Sequence, residues 1–177
     1  MQEVPEHIVW AGRFITAKVK GKWEYVSRPR GIKAAVILAI DADDHVLLVE
    51  QFRVPLGRAC LELPAGLIGD DDSAPNEDAT AAANRELEEE TGYRAARMDV
   101  IGEFYSSPGM VSESFTLLRA KDLEKVGPGG GTDGEDITVH RVALAGVDKF
   151  IESARARGLG IDVRLLMLLA RDIVGGR

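Results

Sequence analysis

The chain is short of the residues that staple small proteins together. Its 177 residues hold one cysteine, Cys60, which excludes an intrachain disulfide or a cysteine zinc cluster and is consistent with a reducing, cytoplasmic setting. Three histidines, His7, His45 and His140, stand singly in sequence, and none is assigned to a metal. Positive charge is in deficit, with 22 Lys and Arg against 29 Asp and Glu for a formal net charge of -7. That argues against a nucleic-acid partner gripped through its phosphates, which needs a basic face. An anionic small molecule stays open, because bound metal and a few placed arginines reverse the potential locally. Long apolar runs are missing too. The longest, Ala34 to Ile40, is far below the roughly 20 residues of a membrane helix. The opening MQEVPEHIVW has neither the basic region nor the apolar core of an export signal. A soluble protein with no membrane partner is expected. No repeat is evident, and the one compositionally biased stretch is Gly127 to Gly134.

What is present is core material, 45% hydrophobic residues over a length usual for one domain, and a dense acidic segment. Arg85-Glu86-Leu87-Glu88-Glu89-Glu90-Thr91-Gly92-Tyr93 predicts a helix stopped by Gly92, a residue that takes the left-handed conformation cheaply. At about 100° per residue Glu86, Glu89 and Glu90 share one side, while Glu88 points elsewhere. Taken alone, such a run is most simply a solvated helix face. Three neighbouring carboxylates nevertheless repel one another unless a cation neutralises them, and hard divalent ions accept carboxylate and carbonyl oxygens while keeping sites open for phosphate and water.

The surrounding spacing sharpens this. Glu77, seven residues, then Arg85-Glu86-Leu87-x-Glu89-Glu90-x-Gly92-Tyr93 resembles the Nudix box, G-x5-E-x7-R-E-U-x-E-E-x-G-U, in which U is a bulky apolar residue. Asp71 stands where the box glycine belongs; Gly66 of Leu63-Pro64-Ala65-Gly66 is read as its counterpart, with five extra residues in the loop. The resemblance implies an α/β (α+β) Nudix fold, a mixed sheet between helices, and Mg2+-dependent hydrolysis, with Mn2+ as a possible substitute. It implies Glu86 and Glu90 as metal ligands, Glu89 as a further ligand or a share of a second ion, and the Ala65 carbonyl completing the shell. Arg85 and Glu77 are implied to orient these carboxylates through paired hydrogen bonds.

Other stretches resemble the ADP-ribose pyrophosphatase branch of that family. Residues 1–30 are expected to form a small antiparallel β extension, Ile8 to Ser27 reading as a hairpin about Lys20-Gly21-Lys22, ahead of a catalytic domain over 31–177. The branch implies that this extension supports a homodimer. Trp23-Glu24-Tyr25-Val26-Ser27-Arg28 is similar to a segment whose tryptophan stacks on adenine, making Trp23 and Arg28 substrate contacts; from local sequence alone they read more readily as a hairpin packing residue and a surface charge. Gln51-Phe52-Arg53 and Leu61-Glu62-Leu63-Pro64-Ala65-Gly66 imply Arg53 as a fork for the diphosphate and Glu62 as a lining residue. Pro108 sits about fifteen residues beyond the box, as in that branch. Glu135-Asp136-Ile137-x-Val139, after the glycine run, resembles a segment that delivers a catalytic carboxylate. Glu135 and Glu113 are thus rival general bases, with Asp133 third.

Lys33 to Ile40 and His45 to Glu50 predict two strands covered on both faces, joined by an acidic turn. Asp99 to Tyr105 and Phe115 to Leu118 predict two more. Helices are expected over Glu77 to Thr91, Asp148 to Ala156 and Val163 to Val174, with Leu165, Leu166, Leu168 and Leu169 as core and nothing catalytic in the last two. Glycines from Gly127 to Gly134 predict a mobile connector. The expected function is hydrolysis of a nucleoside diphosphate sugar, foremost ADP-ribose to AMP and ribose 5-phosphate. The alternatives are GDP-mannose, another ADP-sugar, or a non-catalytic ADP-ribose sensor.

Overall fold

The computed structural model describes residues 4–29, 33–68, 78–132 and 134–175. Glu77, Asp133 and the five extra loop residues lie outside the described residues. The strands are β1 (Glu6–Ala11), β2 (Thr16–Lys20), β3 (Trp23–Ser27), β4 (Lys33–Ala39), β5 (His45–Arg53), β6 (Arg58–Glu62), β7 (Ala65–Ile68), β8 (Tyr93–Tyr105), β9 (Ser114–Lys125), β10 (Thr138–Ala143) and β11 (Gly160–Ile161). The helices are α1 (Ala79–Thr91), α2 (Val147–Ala156) and α3 (Leu166–Gly175), with 3-10 turns at Val54–Leu56, Leu144–Gly146 and Val163–Leu165.

Among the described residues these strands make three sheets, ordered β1-β2-β3, β7-β4-β9-β8 and β10-β5-β6-β11. β4 with β9 and β6 with β11 run parallel, while the other neighbours are antiparallel. The mixed sheets with helices are the architecture the sequence predicts. β4 shows why. Successive side chains on a strand point to opposite faces, so Val36 and Leu38 join the cluster with Leu61, Leu63, Ile151 and Leu165. Ala35, Ile37 and Ala39 enter the other cluster, with Ala83 and Leu87 of α1 and Leu118 of β9. Each fully buried leucine or isoleucine there contributes about 1.5–3 kcal/mol. A strand covered on both faces must be apolar throughout, as this one is.

Several boundaries differ from expectation for physical reasons. The predicted hairpin is a three-stranded meander, because Gly12 donates its N–H to Ile15 O at 2.9 Å and turns β1 back onto β2. β4 and β5, joined by the expected acidic turn, are linked by the Ile40–Val46 bridge and the Asp41 N–H to His45 O bond at 2.9 Å and then part into different sheets. β8 and β9 are longer than their apolar centres suggest, since they pair with each other along nearly their whole length. Leu166 is exposed while Leu165 is fully buried. The 3-10 turn before α3 advances the chain by a different angle from the helix, so a single helical wheel fails across that joint.

Candidate active site

α1 is fixed at both ends by its own sequence. The Asp78 side chain caps it by accepting the Thr80 N–H at 3.1 Å, and Gly92, at φ 72°, closes it with its N–H on Glu88 O at 2.8 Å. Ala83 and Leu87 face the core, which turns the Glu86 and Glu90 row toward β7. Glu90 is only 6% exposed, and its Oε2 accepts the Ala65 N–H at 3.0 Å. Burial pushes the Glu90 carboxyl up to about 8; the backbone hydrogen bond from Ala65 opposes that rise, and the charges of Glu86 and Glu135 add to it. Glu86 lies directly over Gly66, where an added Cβ would stand 2.0 Å from its Cδ. Arg85 Nη1 donates to Glu86 Oε1 at 2.9 Å and to Glu89 Oε2 at 3.2 Å. Glu89 therefore sits in the guanidinium's reach, while Glu86 and Glu90 line the cleft with Ala65 and Gly66.

The glycine run packs against the end of this helix. The N–H groups of Gly130 and Gly131 donate to Glu90 O and Glu89 O at 2.8 and 3.0 Å, and that of Gly127 to Gly92 O at 3.0 Å. Helix-end carbonyls lack partners within the helix, and the loop supplies them. A Cβ on Gly129, at φ +71°, would come 2.4 Å from the Thr91 carbonyl carbon. Gly129 and Gly131 therefore serve close approach, and Gly127, Gly130 and Gly131 are tied to the helix end by backbone hydrogen bonds, so the expectation of a loose connector does not describe this run. The clasp brings Glu135 to the cleft, with its Oε2 accepting the Thr132 N–H at 3.1 Å.

The facing wall is mixed in charge. Arg53 holds Glu62 in a fork, Nε to Oε1 at 2.6 Å and Nη2 to Oε2 at 2.9 Å. Glu62 is 3% exposed, and so deep a carboxylate requires such pairing. A second guanidinium, Arg164, reaches the same Oε2 at 3.1 Å and is itself gripped by Asp162 at 2.6 and 2.7 Å. Nearby Cys60 is pushed up to about 11 by burial and then by the negative charges of Glu62 and Asp162, which leaves its thiol protonated and inert. Glu113 also faces the cleft but is bound by Arg28, Nε to Oε1 at 2.6 Å. The cleft, open to solvent, has a volume of about 560 Å³.

The structure thus brings Arg28, Arg53, Glu62, Ala65, Glu86, Glu90, Glu113 and Glu135 around one cleft. Trp23 lies apart, lining a hollow of about 280 Å³ with Tyr25 and Pro108. That hollow is built by pairing between β3 and the Pro108 loop, where Val26 N–H meets Met110 O at 3.0 Å and Ser112 N–H meets Val26 O at 2.9 Å. Sequence reasoning missed Asp162 and Arg164. Nothing local marks them; only the pairing of β11 with β6 puts them beside Glu62.

The NUDIX domain model matches residues 29–157. The chain belongs to the Nudix family. Over 75% of its length it is 35% identical to an ADP-ribose pyrophosphatase of Bacillus subtilis, of which the match covers 68%. A GDP-mannose pyrophosphatase of Cronobacter sakazakii is 33% identical over 79% of the chain and 72% of that protein. A solved ADP compounds hydrolase superposes with a TM-score of 0.72 at 27% identity, covering 97% of this chain and 93% of that one. This Nudix hydrolase shares a family that uses divalent metal ions. Among its described residues no three acidic, histidine or cysteine side chains gather closely enough to form a closed ligand shell. The donor set does fit an ion that keeps its waters and takes one or two carboxylates plus substrate phosphate. Glu86 and Glu90 are such a pair, and the bare Gly66 backbone leaves room for one of them.

Proposed function

We propose that the protein is an Mg2+-dependent nucleoside diphosphate sugar hydrolase whose main substrate is ADP-ribose, split by water into AMP and ribose 5-phosphate. The observation that carries this reading is the pairing of two unlike walls around one cleft, Glu86, Glu90 and Glu135 facing Arg53 and Glu62. A diphosphate needs both. Glu86 and Glu90, with the Ala65 carbonyl, would hold the metal, Glu89 standing next to them through Arg85. When bound, the ion supplies charge neutralisation and activates water. Arg53 lines the cleft and keeps N–H donors beyond the two spent on Glu62, and a guanidinium fork suits phosphate oxygens. Arg85 orients Glu86 and Glu89.

Of the rival bases, Glu135 takes the proton from the attacking water. Glu113 is already spent on Arg28 at 2.6 Å, whereas Glu135 is near enough to Glu90 to raise its carboxyl. Trp23, 65% exposed beside the Pro108 loop, offers an aromatic face for the base. Ile8, Val9 and Trp10 of β1 are exposed in a row, and a second copy covering them would form the homodimer through residues 1–30. The buried free thiol of Cys60 suits a cytoplasmic location.

The test is product analysis with Mg2+ against ADP-ribose, other ADP-sugars, GDP-mannose and NADH. AMP released from ADP-ribose at the highest kcat/KM is expected. A higher kcat/KM for GDP-mannose would move the substrate assignment to that sugar, and binding of ADP-ribose without turnover would overturn the hydrolytic reading of these residues.

A further inference from the structure

The family match ends at residue 157, yet the cleft continues past it. β11 zips in parallel onto β6, Gly160 beside Cys60 and Ile161 beside Leu61, and the next N–H, that of Asp162, donates to Leu61 O at 3.0 Å. Gly160 permits this approach, since a Cβ there would already lie 3.3 Å from Cys60 Sγ and Leu56 Cδ1. Register alone therefore delivers Asp162 and Arg164 to the buried Glu62 at the end of β6.

The two arginines on Glu62 are unlike. The Arg164 side chain is 17% exposed and bonded to two carboxylates, whereas that of Arg53 is 40% exposed and, among the described residues, bonded to Glu62 alone. Arg164 also lies 5.9 Å from the Phe115 ring centroid, which limits its swing. Both guanidiniums line the cleft, but Arg164 is the more tightly anchored and Arg53 the more exposed. We propose that Arg164, locked by Asp162, is a positioning residue that fixes the Glu62 carboxylate and through it aims Arg53 at the substrate's anionic group. Its kinetic consequence rests on the diphosphate reading above; its structural consequence does not.

The test uses Arg164→Met, Arg164→Lys and Asp162→Asn in the full chain, alone and combined with Glu62→Gln, which cuts the link without leaving Glu62 as an unpaired charge. Thermal unfolding confirms that each variant folds; if Arg164→Met does not, Arg164→Lys and Asp162→Asn carry the comparison. Arg164→Met should raise KM about tenfold with kcat within about threefold, Arg164→Lys should restore part of the loss, and neither should add to Glu62→Gln. The same KM factor on the Glu62→Gln background, or a loss confined to kcat, overturns the proposal. If the wild-type protein turns over no nucleoside diphosphate sugar, the functional reading fails separately, and a crystal structure of Arg164→Met decides this one. Arg53 swung off Glu62 supports it, and an Arg53 fork unchanged from that of the parent protein overturns it.

Discussion

The two walls of the cleft are built in opposite ways. The acidic wall comes largely from one helix and the backbone that touches it: Glu86 and Glu90 are a turn apart on α1, Ala65 donates to Glu90, and the Gly127–Gly131 clasp caps the helix and leads to Glu135. The facing wall is stitched from β5, β6 and the turn after β11, three pieces meeting at a single buried carboxylate, Glu62. The difference implies a division of labour. On the proposed function, carboxylates on the helix would hold charge where bonds change, and the forked arginine at the end of β5 would hold the substrate.

The strongest way to break that comparison is at Glu90. Glu90→Gln should lower kcat by about a hundredfold or more, within the roughly 10²- to 10⁴-fold range of losing a key catalytic group, as read by steady-state kinetics with Mg2+. Next is Gly66→Ala. The added methyl meets the flexible end of Glu86, so the fold should survive with an unchanged melting temperature while kcat falls about tenfold or more; a drop in melting temperature with normal activity would place Gly66 in the fold's support instead. Arg53→Lys keeps the charge and loses the fork, and should raise KM about tenfold while kcat holds.

Two thermal measurements sharpen the contrast further. Gly129→Ala forces a left-handed alanine against the Thr91 backbone, which costs about 1–2 kcal/mol for the conformation alone and should lower the melting temperature by at least about 3 °C. The pH dependence is subtler. Burial pushes the Glu90 carboxyl up to about 8, against 4.5 for an unperturbed glutamate, so the folded state binds the extra proton between those values. Its contribution is fully present below about pH 4.5 and is lost as pH rises through about 8. The metal-free protein should therefore lose stability between pH 5 and pH 8 by a component that Glu90→Gln lacks.

The same contrast explains what could be read from the sequence. Helical periodicity and a C-terminal glycine are local, so Glu86, Glu90 and the end of α1 were legible, as was the apolar alternation that puts β4 between two cores. Sheet register is not local. Glu62 drew notice through the Pro-Ala-Gly stretch after it, but its partner Arg164 is 102 residues away and belongs to a segment that reads only as core helix. Glycines misled in the other direction: in the run after β9 they signal freedom by composition, whereas Gly129 and Gly131 are required by close backbone and side-chain approach at positive φ. The meander at the N-terminus was half legible, since Gly21 marks one turn plainly and Gly12 marks the other without a flanking signal.

The most direct test of the divided cleft is kcat and KM for Glu90→Gln and Arg53→Lys measured side by side on ADP-ribose with saturating Mg2+. The account predicts a loss of about a hundredfold or more in kcat for the first and a rise of about tenfold in KM for the second, with little crossover. Equal losses in the same parameter would contradict it, because the two walls would then be doing one job.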